Sequence, residues 1–160
     1  MVKKIRPHRI WSWQGLSICL LKILLAGVPT LTLATSGHTG ELRVSVDGVR
    51  NKSGNLRVAL FHDPESFATK DGRYKEVVIP AREGNIEAVF REVPVGTYGL
   101  AAFHDENDNV LFDKNFIGFP EEGFGFGNDA PVFLGPPDFL DAAVIVAEEI
   151  RHVSLTLRYW

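Results

Sequence analysis

From Glu41 to Val49 apolar and polar side chains alternate, with Leu42, Val44 and Val46 on one face and Arg43, Ser45 and Asp47 on the other. Period two is the signature of a half-buried β-strand. The alternation resumes from Asn55 to His62 through Leu56, Val58 and Leu60, after turn-forming Asn51-Lys52-Ser53-Gly54-Asn55. The two runs predict a hairpin. Asp63 to Tyr74 reads as a polar loop and Lys75 to Pro80 as a short strand. Asn85 to Val93 alternates again through Ile86, Ala88 and Phe90. Pro94-Val95-Gly96-Thr97-Tyr98 predicts a tight turn that feeds a strand from Tyr98 to His104. Arg151 to Trp160 closes the chain with Val153, Leu155, Leu157 and Tyr159 on one face. Phe139 to Ala147 is the best helical stretch, but Val144-Ile145-Val146 at its centre suits a strand better. Gly118 to Pro137, rich in Pro and Gly, reads as a long loop inside the domain. Short strands separated by regular turn signals predict an all-β fold, an antiparallel β-sandwich of about seven strands.

The first 36 residues break this pattern. They carry Lys3, Lys4, Arg6, Arg9 and Lys22 with no acidic residue, then Ile23 to Val28, Pro29 and Leu31-Thr32-Leu33-Ala34. A basic start, a short apolar middle and a small-residue exit are the parts of a secretory signal peptide. Cleavage after Ala34 or after Ser36 fits equally. The competing reading is a membrane anchor. It needs about 20 predominantly apolar residues, and Lys22 and Pro29 interrupt the candidate stretch. Cys19, preceded by Ile18 and followed by the main apolar run, is not placed as a lipidation cysteine. The expected division is a signal peptide over 1–36 and a single β-sandwich domain over 37–160, exported to the periplasm or secreted.

Removing five basic residues from the 17 Lys and Arg leaves 12 against 20 Asp and Glu, a net charge of −8 for 37–160. Such a surface repels phosphate backbones, so nucleic acid is not an expected partner. No cysteine remains after the leader. A hydrophobic core, rather than disulfides, must then supply the stability. No stable membrane span is expected in the mature chain.

Chemistry-bearing residues concentrate in His104-Asp105-Glu106-Asn107-Asp108-Asn109-Val110-Leu111-Phe112-Asp113. Counted from Asp105, oxygen-bearing side chains at positions one, three, five and nine (Asp105, Asn107, Asn109 and Asp113) have the spacing of an oxygen-lined Ca2+ loop. Val110 stands where such a loop turns on glycine, and Phe116 where it uses a bidentate glutamate. The alternative is a solvated loop in which Asp and Asn bond their own backbone. His62 and His104 end two predicted strands, each followed by an aspartate (Asp63 and Asp105), which allows a hydrolase built on His62, His104 and Asp105. No serine has a nucleophile-elbow context and no glycine loop leads into a helix. An enzyme is not expected. A second segment, Ile117 to Asn128, alternates Gly and Phe: Gly118, Phe119, Gly123, Phe124, Gly125, Phe126, Gly127. Either the rings plug one end of the sandwich, or they form an exposed platform for a sugar, lipid or peptide.

These segments resemble the bacterial family called domain of unknown function 2141, made up of small exported proteins. The resemblance rests on His104-Asp105-Glu106-Asn107, Asn109, Asp113, Gly118, Pro120 and Glu122-Gly123-Phe124-Gly125-Phe126. Asn128, Gly135-Pro136-Pro137, Phe139 and Ala142 continue it, and Pro94 with Gly96-Thr97-Tyr98 precedes it. It implies a sandwich of transthyretin-like or carboxypeptidase-regulatory-like type and an exported location, and no reaction. Two residues depart from the family pattern: Val110 for glycine and Gly127 for serine. The expected function is a non-enzymatic binding or structural module of the cell envelope with an envelope or extracellular partner. Its candidate surface is His104, Phe119, Glu122, Phe124, Phe126 and Asn128. A calcium-stabilised adhesion-type or carbohydrate-binding module is the alternative.

Overall fold

Strict alternation works for a strand that has core on one side and water on the other. Strand β1 (Thr39–Val49) is such a strand, burying Leu42, Val44 and Val46 completely. The structure, a computed structural model, describes residues 37–160; the expected leader over 1–36 lies outside the described residues. The further strands are β2 (Asn55–Phe61), β3 (Arg73–Pro80), β4 (Gly84–Pro94), β5 (Gly96–Asp105), β6 (Phe124–Phe126), β7 (Ala143–Val146) and β8 (Arg151–Thr156). One sheet has the order β4-β1-β8. The other has the order β3-β2-β5-β6, with β7 also paired to β5. β6 covers Ala101 to Phe103 and β7 covers Gly96 to Gly99, so the two short strands share one edge of β5.

The all-β sandwich is therefore present, with eight strands among the described residues. Leu42 pairs with Phe90, Val44 with Ala88 and Val46 with Ile86, which stacks the inward residues of β1 and β4 in register. Facing them from the second sheet are Leu56, Val58, Leu60, Leu100 and Val146, all completely buried. At about 1.5–3 kcal/mol for each large side chain removed from water, this layer is the main source of stability.

Three expectations need correction. The runs over 41–49 and 55–62 do not form a hairpin: β1 lies in one sheet and β2 in the other. The connection between them arches across the end of the sandwich. Gly54 (φ +61°) makes this possible, because a Cβ there would lie 1.9 Å from the Asp105 carbonyl oxygen. The sandwich is also not wholly antiparallel, since β8 runs parallel to β1, with Val44 opposite Val153 and Val46 opposite Leu155. Finally, the predicted loop over 118–137 contains the strand β6. The stretch 139–147 contains the strand β7, as its β-branched residues suggested.

The second sheet buries both faces. β2 is enclosed along almost its whole length, and its outward residues Ala59 and Phe61 join Phe67, Phe124, Phe126, Ala130 and Ala142 in a second apolar cluster. The segments 62–72, 106–123 and 127–142 roof this outer face. Gly99 permits the closest approach: a Cβ there would fall 2.7 Å from the Phe67 ring. Phe67 in turn meets Phe61, Phe126 and Phe139 edge-on, with ring centroids 5.3–5.8 Å apart.

Candidate functional site

The roofing segment holds most of the chemistry-bearing residues, beginning where β5 ends. Asp105, fully buried on the outer face, receives Arg57 Nε at 2.6 Å from the neighbouring strand. Its carboxylate also accepts the backbone N–H groups of Asn109 and Val110, each at 3.0 Å. Burial opposes the charge on Arg57, but the hydrogen bond and charge of Asp105, helped by Glu76 and Asp108, hold its pKa above the usual guanidinium value.

The rest of the loop is closed by its own side chains. Asn107 Oδ1 accepts from Asn109 N at 3.1 Å and Asn109 Oδ1 from Leu111 N at 2.8 Å. The side-chain amides of Asn107 and Asn109 both donate to Asp113 Oδ2, at 2.7 and 2.8 Å. The four residues of the expected Ca2+ loop are thus brought together, and their oxygens largely serve the loop's own N–H groups. Among the described residues, no group of three or more His, Cys, Asp or Glu is placed to hold a metal ion. Val110 adopts φ +68°, the left-handed conformation that glycine would take there without strain.

Glu122 clamps the same loop from below. It is 4% exposed, and its two carboxylate oxygens accept Glu106 N and Asp113 N, each at 3.1 Å, so that one side chain ties the loop's two ends. Burial pushes its pKa up, and the nearby Asp105 and Asp113 add to the rise against the two backbone N–H donors.

His104 points into the sandwich and is fully buried. Nε2 lies 2.7 Å from the Ser53 carbonyl, which only accepts, so Nε2 carries the hydrogen. Nδ1 then accepts from the Tyr159 hydroxyl at 2.9 Å, and that hydroxyl accepts Arg50 N at 3.2 Å. Arg50 lies over the Tyr159 ring, 4.5 Å from its centroid, and pairs with Glu106 at 2.6 Å. His104 is thereby a tie between the β1–β2 arch, β5 and the C-terminal segment. His62 is elsewhere. It follows Phe61, which pairs with Gly99, whereas His104 pairs with Leu56. About six strand residues separate the two, or roughly 20 Å at ~3.3 Å each. His62 lies against Tyr74 and Tyr98. The structure does not bring His62, His104 and Asp105 together.

The remaining surface candidates divide. Phe124 and Phe126 are buried, on the outer face of the second sheet rather than at an end of the sandwich. Asn128, at φ +58°, donates to the carbonyls of Asp141 and Ala143 and so braces the approach to β7. Phe119 is half exposed and leans on Trp160, with centroids 6.0 Å apart.

Phe119 and Trp160 edge a trough of about 330 Å³ whose walls include Phe112, Phe124 and Phe126. Lys114 is the only ionisable side chain among its lining residues. A smaller space of about 80 Å³ shares Ala68, Phe112, Phe124 and Phe126 with the trough and reaches Arg73. Sequence reasoning missed Phe112, Lys114, Val132 and Trp160 as parts of one site. The available signal was apolar residues in loops with no strand period: Phe116-Ile117 and Val132-Phe133-Leu134.

A family model described as an uncharacterized protein conserved in bacteria, DUF2141, matches residues 44–154. The chain belongs to this family. The match runs from β1 into β8 and so includes both sheets, the clamped loop and the trough lining apart from Trp160. No curated protein and no solved structure matches the chain. The described residues contain no helix long and apolar enough to cross a membrane.

Proposed function

We propose that this DUF2141 protein is an exported, non-enzymatic binding module of the cell envelope, which takes a small apolar ligand into the trough beside Phe119 and Trp160. The observation that carries the reading is the trough. Its volume of about 330 Å³ lies within the range typical of ligand sites, roughly 300–1,000 Å³, and such sites are mostly apolar and aromatic. Its lining also speaks against a sugar. A sugar's hydroxyls need several hydrogen-bonding side chains once they leave water, and Lys114 and the indole N–H of Trp160 are the only such side-chain groups in the lining.

Titration with a neutral apolar fluorophore, N-phenyl-1-naphthylamine, tests this function. Saturable binding to the folded protein, lost when Val132→Trp fills the trough, is expected. Binding that survives Val132→Trp, or no binding at all, would overturn the reading. Export is tested separately by sequencing the N-terminus of the protein recovered from the cell envelope or medium, which should begin at Thr35 or Gly37.

The spacing of Asp105, Asn107, Asn109 and Asp113 supports a second reading, a calcium-stabilised module. A cation would have to displace Arg57 or the Asn amides from the carboxylates they now occupy. Melting with calcium and with chelator separates the two readings. A ligand bound only by the folded state raises the midpoint, and an equal midpoint favours the self-closed loop.

A further inference from the structure

The walls of the trough carry information about the ligand's charge as well as its size. Lys114 contributes the one charged side chain of the lining, and its Nζ lies 5.8 Å from the centroid of the Phe112 ring. Phe112 packs edge-on against Phe124 at 5.5 Å, so the ammonium stands at the lip of the apolar floor itself. Among the described residues Lys114 forms no ion pair. Arg73, at the far side of the smaller space, is by contrast already paired with Glu76 at 3.0 Å. The nearest acid in sequence, Asp113, is occupied by the amides of Asn107 and Asn109. A chain whose residues 37–160 carry a net charge of −8 thus keeps an uncommitted cation at the edge of its apolar trough.

We infer that the trough takes a single-chain amphiphile whose alkyl body lies against Phe112, Phe119, Phe124 and Trp160 and whose anionic head pairs with Lys114. This rests on the trough being a ligand site, as proposed above. Two arguments fix the class. An anionic head supplies the partner that Lys114 lacks, and a cationic head would be repelled. With about 30 Å³ for each methylene-sized group, the share of one water in the liquid, a 330 Å³ space holds on the order of ten carbons. Medium-length chains therefore fit, and two-chain lipids do not fit whole.

The experiment uses the full chain and calorimetric titration below the ligands' micelle concentrations. In parallel, a Trp11→Phe/Trp13→Phe chain leaves Trp160 as the sole tryptophan, whose emission reports occupancy at the trough edge. The ligands are hexanoate, octanoate, decanoate, decyl phosphate, decanol and decylamine. Each methylene buried is expected to tighten binding about fourfold up to ten carbons. Lys114→Met is expected to weaken decanoate or decyl phosphate about fivefold at low salt while changing decanol less than twofold. Lys114 is exposed, so an unchanged melting midpoint should verify that the variant folds.

If decanol and decanoate both bind but Lys114→Met affects them equally, or decylamine binds best, the anionic-head inference is overturned and the trough remains a site. If no alkyl ligand binds and Trp160 emission is unmoved, the trough itself is not a ligand site. A carboxylate preferred over a phosphate head, or the reverse, identifies the source of the ligand, and either preference supports the inference.

Discussion

Replacing Arg57 with methionine should remove more stability than any other single polar substitution on the outer face of the second sheet. The Arg57 side chain is 9% exposed and its partner Asp105 is 0% exposed, with Nε 2.6 Å from the carboxylate. Methionine keeps the aliphatic bulk and removes the charge. Asp105 would then be left with the N–H groups of Asn109 and Val110 and no counter-ion. Breaking a buried pair from one side typically costs about 3–5 kcal/mol, because the surviving charge stays buried and uncompensated. For a domain of this size that is a fall of roughly 10–20 °C in the melting midpoint.

Urea unfolding followed by circular dichroism measures the loss as a shift in midpoint at unchanged slope. A double-mutant cycle with Asp105→Asn isolates the pair. The double variant should be less damaged than the sum of the two single changes, because neither the buried carboxylate nor the guanidinium is then left without its principal partner. A loss below about 1 kcal/mol for Arg57→Met, in the range of surface pairs, would refute the claim that this ion pair organises the loop.

Three further outcomes follow from the same region. Glu122→Gln offers one acceptor where two backbone N–H groups need one each, and should cost about 1–3 kcal/mol in urea unfolding. Because burial raises the Glu122 pKa, its contribution is fully present below the unfolded value, about 4.3, and is lost as pH rises through the folded value. The wild-type advantage over Glu122→Gln should therefore shrink with rising pH in that window, and an advantage that grows instead would contradict the assignment. Val110→Gly removes a left-handed β-branched residue, a strain of about 1–2 kcal/mol, partly offset by glycine's greater chain entropy. A net gain near 0.5–1 kcal/mol is expected, and a net loss in the same assay would show that Val110 packs better than its backbone suggests. Tyr159→Phe strands the buried Nδ1 of His104 and should cost about 1–3 kcal/mol, with faster proteolysis of the C-terminal segment; unchanged proteolysis would mean that β8 alone anchors it.

The first sheet was readable because its outward face is wet. Arg43, Ser45, Asp47 and Glu87 alternate with Leu42, Val44, Val46 and Ala88, and pairing in register confirms each inward residue. The same reasoning cannot say which strand pairs with which. Asn51 to Asn55 has hairpin chemistry, yet Ser53 bonds His104 and Arg50 and Asn51 bond Glu106, contacts that hold the segment across the end of the sandwich. Loop spacing in turn placed Asp105, Asn107, Asn109 and Asp113 together but gave no sign of Arg57, which lies 48 residues before Asp105 and arrives only through strand pairing. A carboxylate's partner is a tertiary fact, and whether it meets a guanidinium or a cation leaves no local trace.

The second sheet explains why a trough arises in this fold. The outward residues Ala59, Phe61, Gly99, Ala101 and Phe103 are small or apolar, so this face must be covered, and in this chain irregular loops cover it. A packed sheet can lay regular rows of side chains into another at close to crystal density. A loop must first satisfy its own backbone donors and acceptors. Here that is done by Asp105, Asn107, Asn109 and Glu122 along one part of the roof. Farther along, the residues 116–120 turn on Asn115, whose Oδ1 accepts Ile117 N and Phe119 N, the residues 131–136 approach the sheet with fewer ties, and the trough opens above Phe124 and Phe126. The clamped loop and the trough are then two consequences of one requirement, an apolar sheet face roofed by irregular chain. Stiffening the clamp should hold Phe112 and Lys114 in place and preserve the site, while loosening it through Glu122→Gln should weaken alkyl binding even though Glu122 touches no ligand.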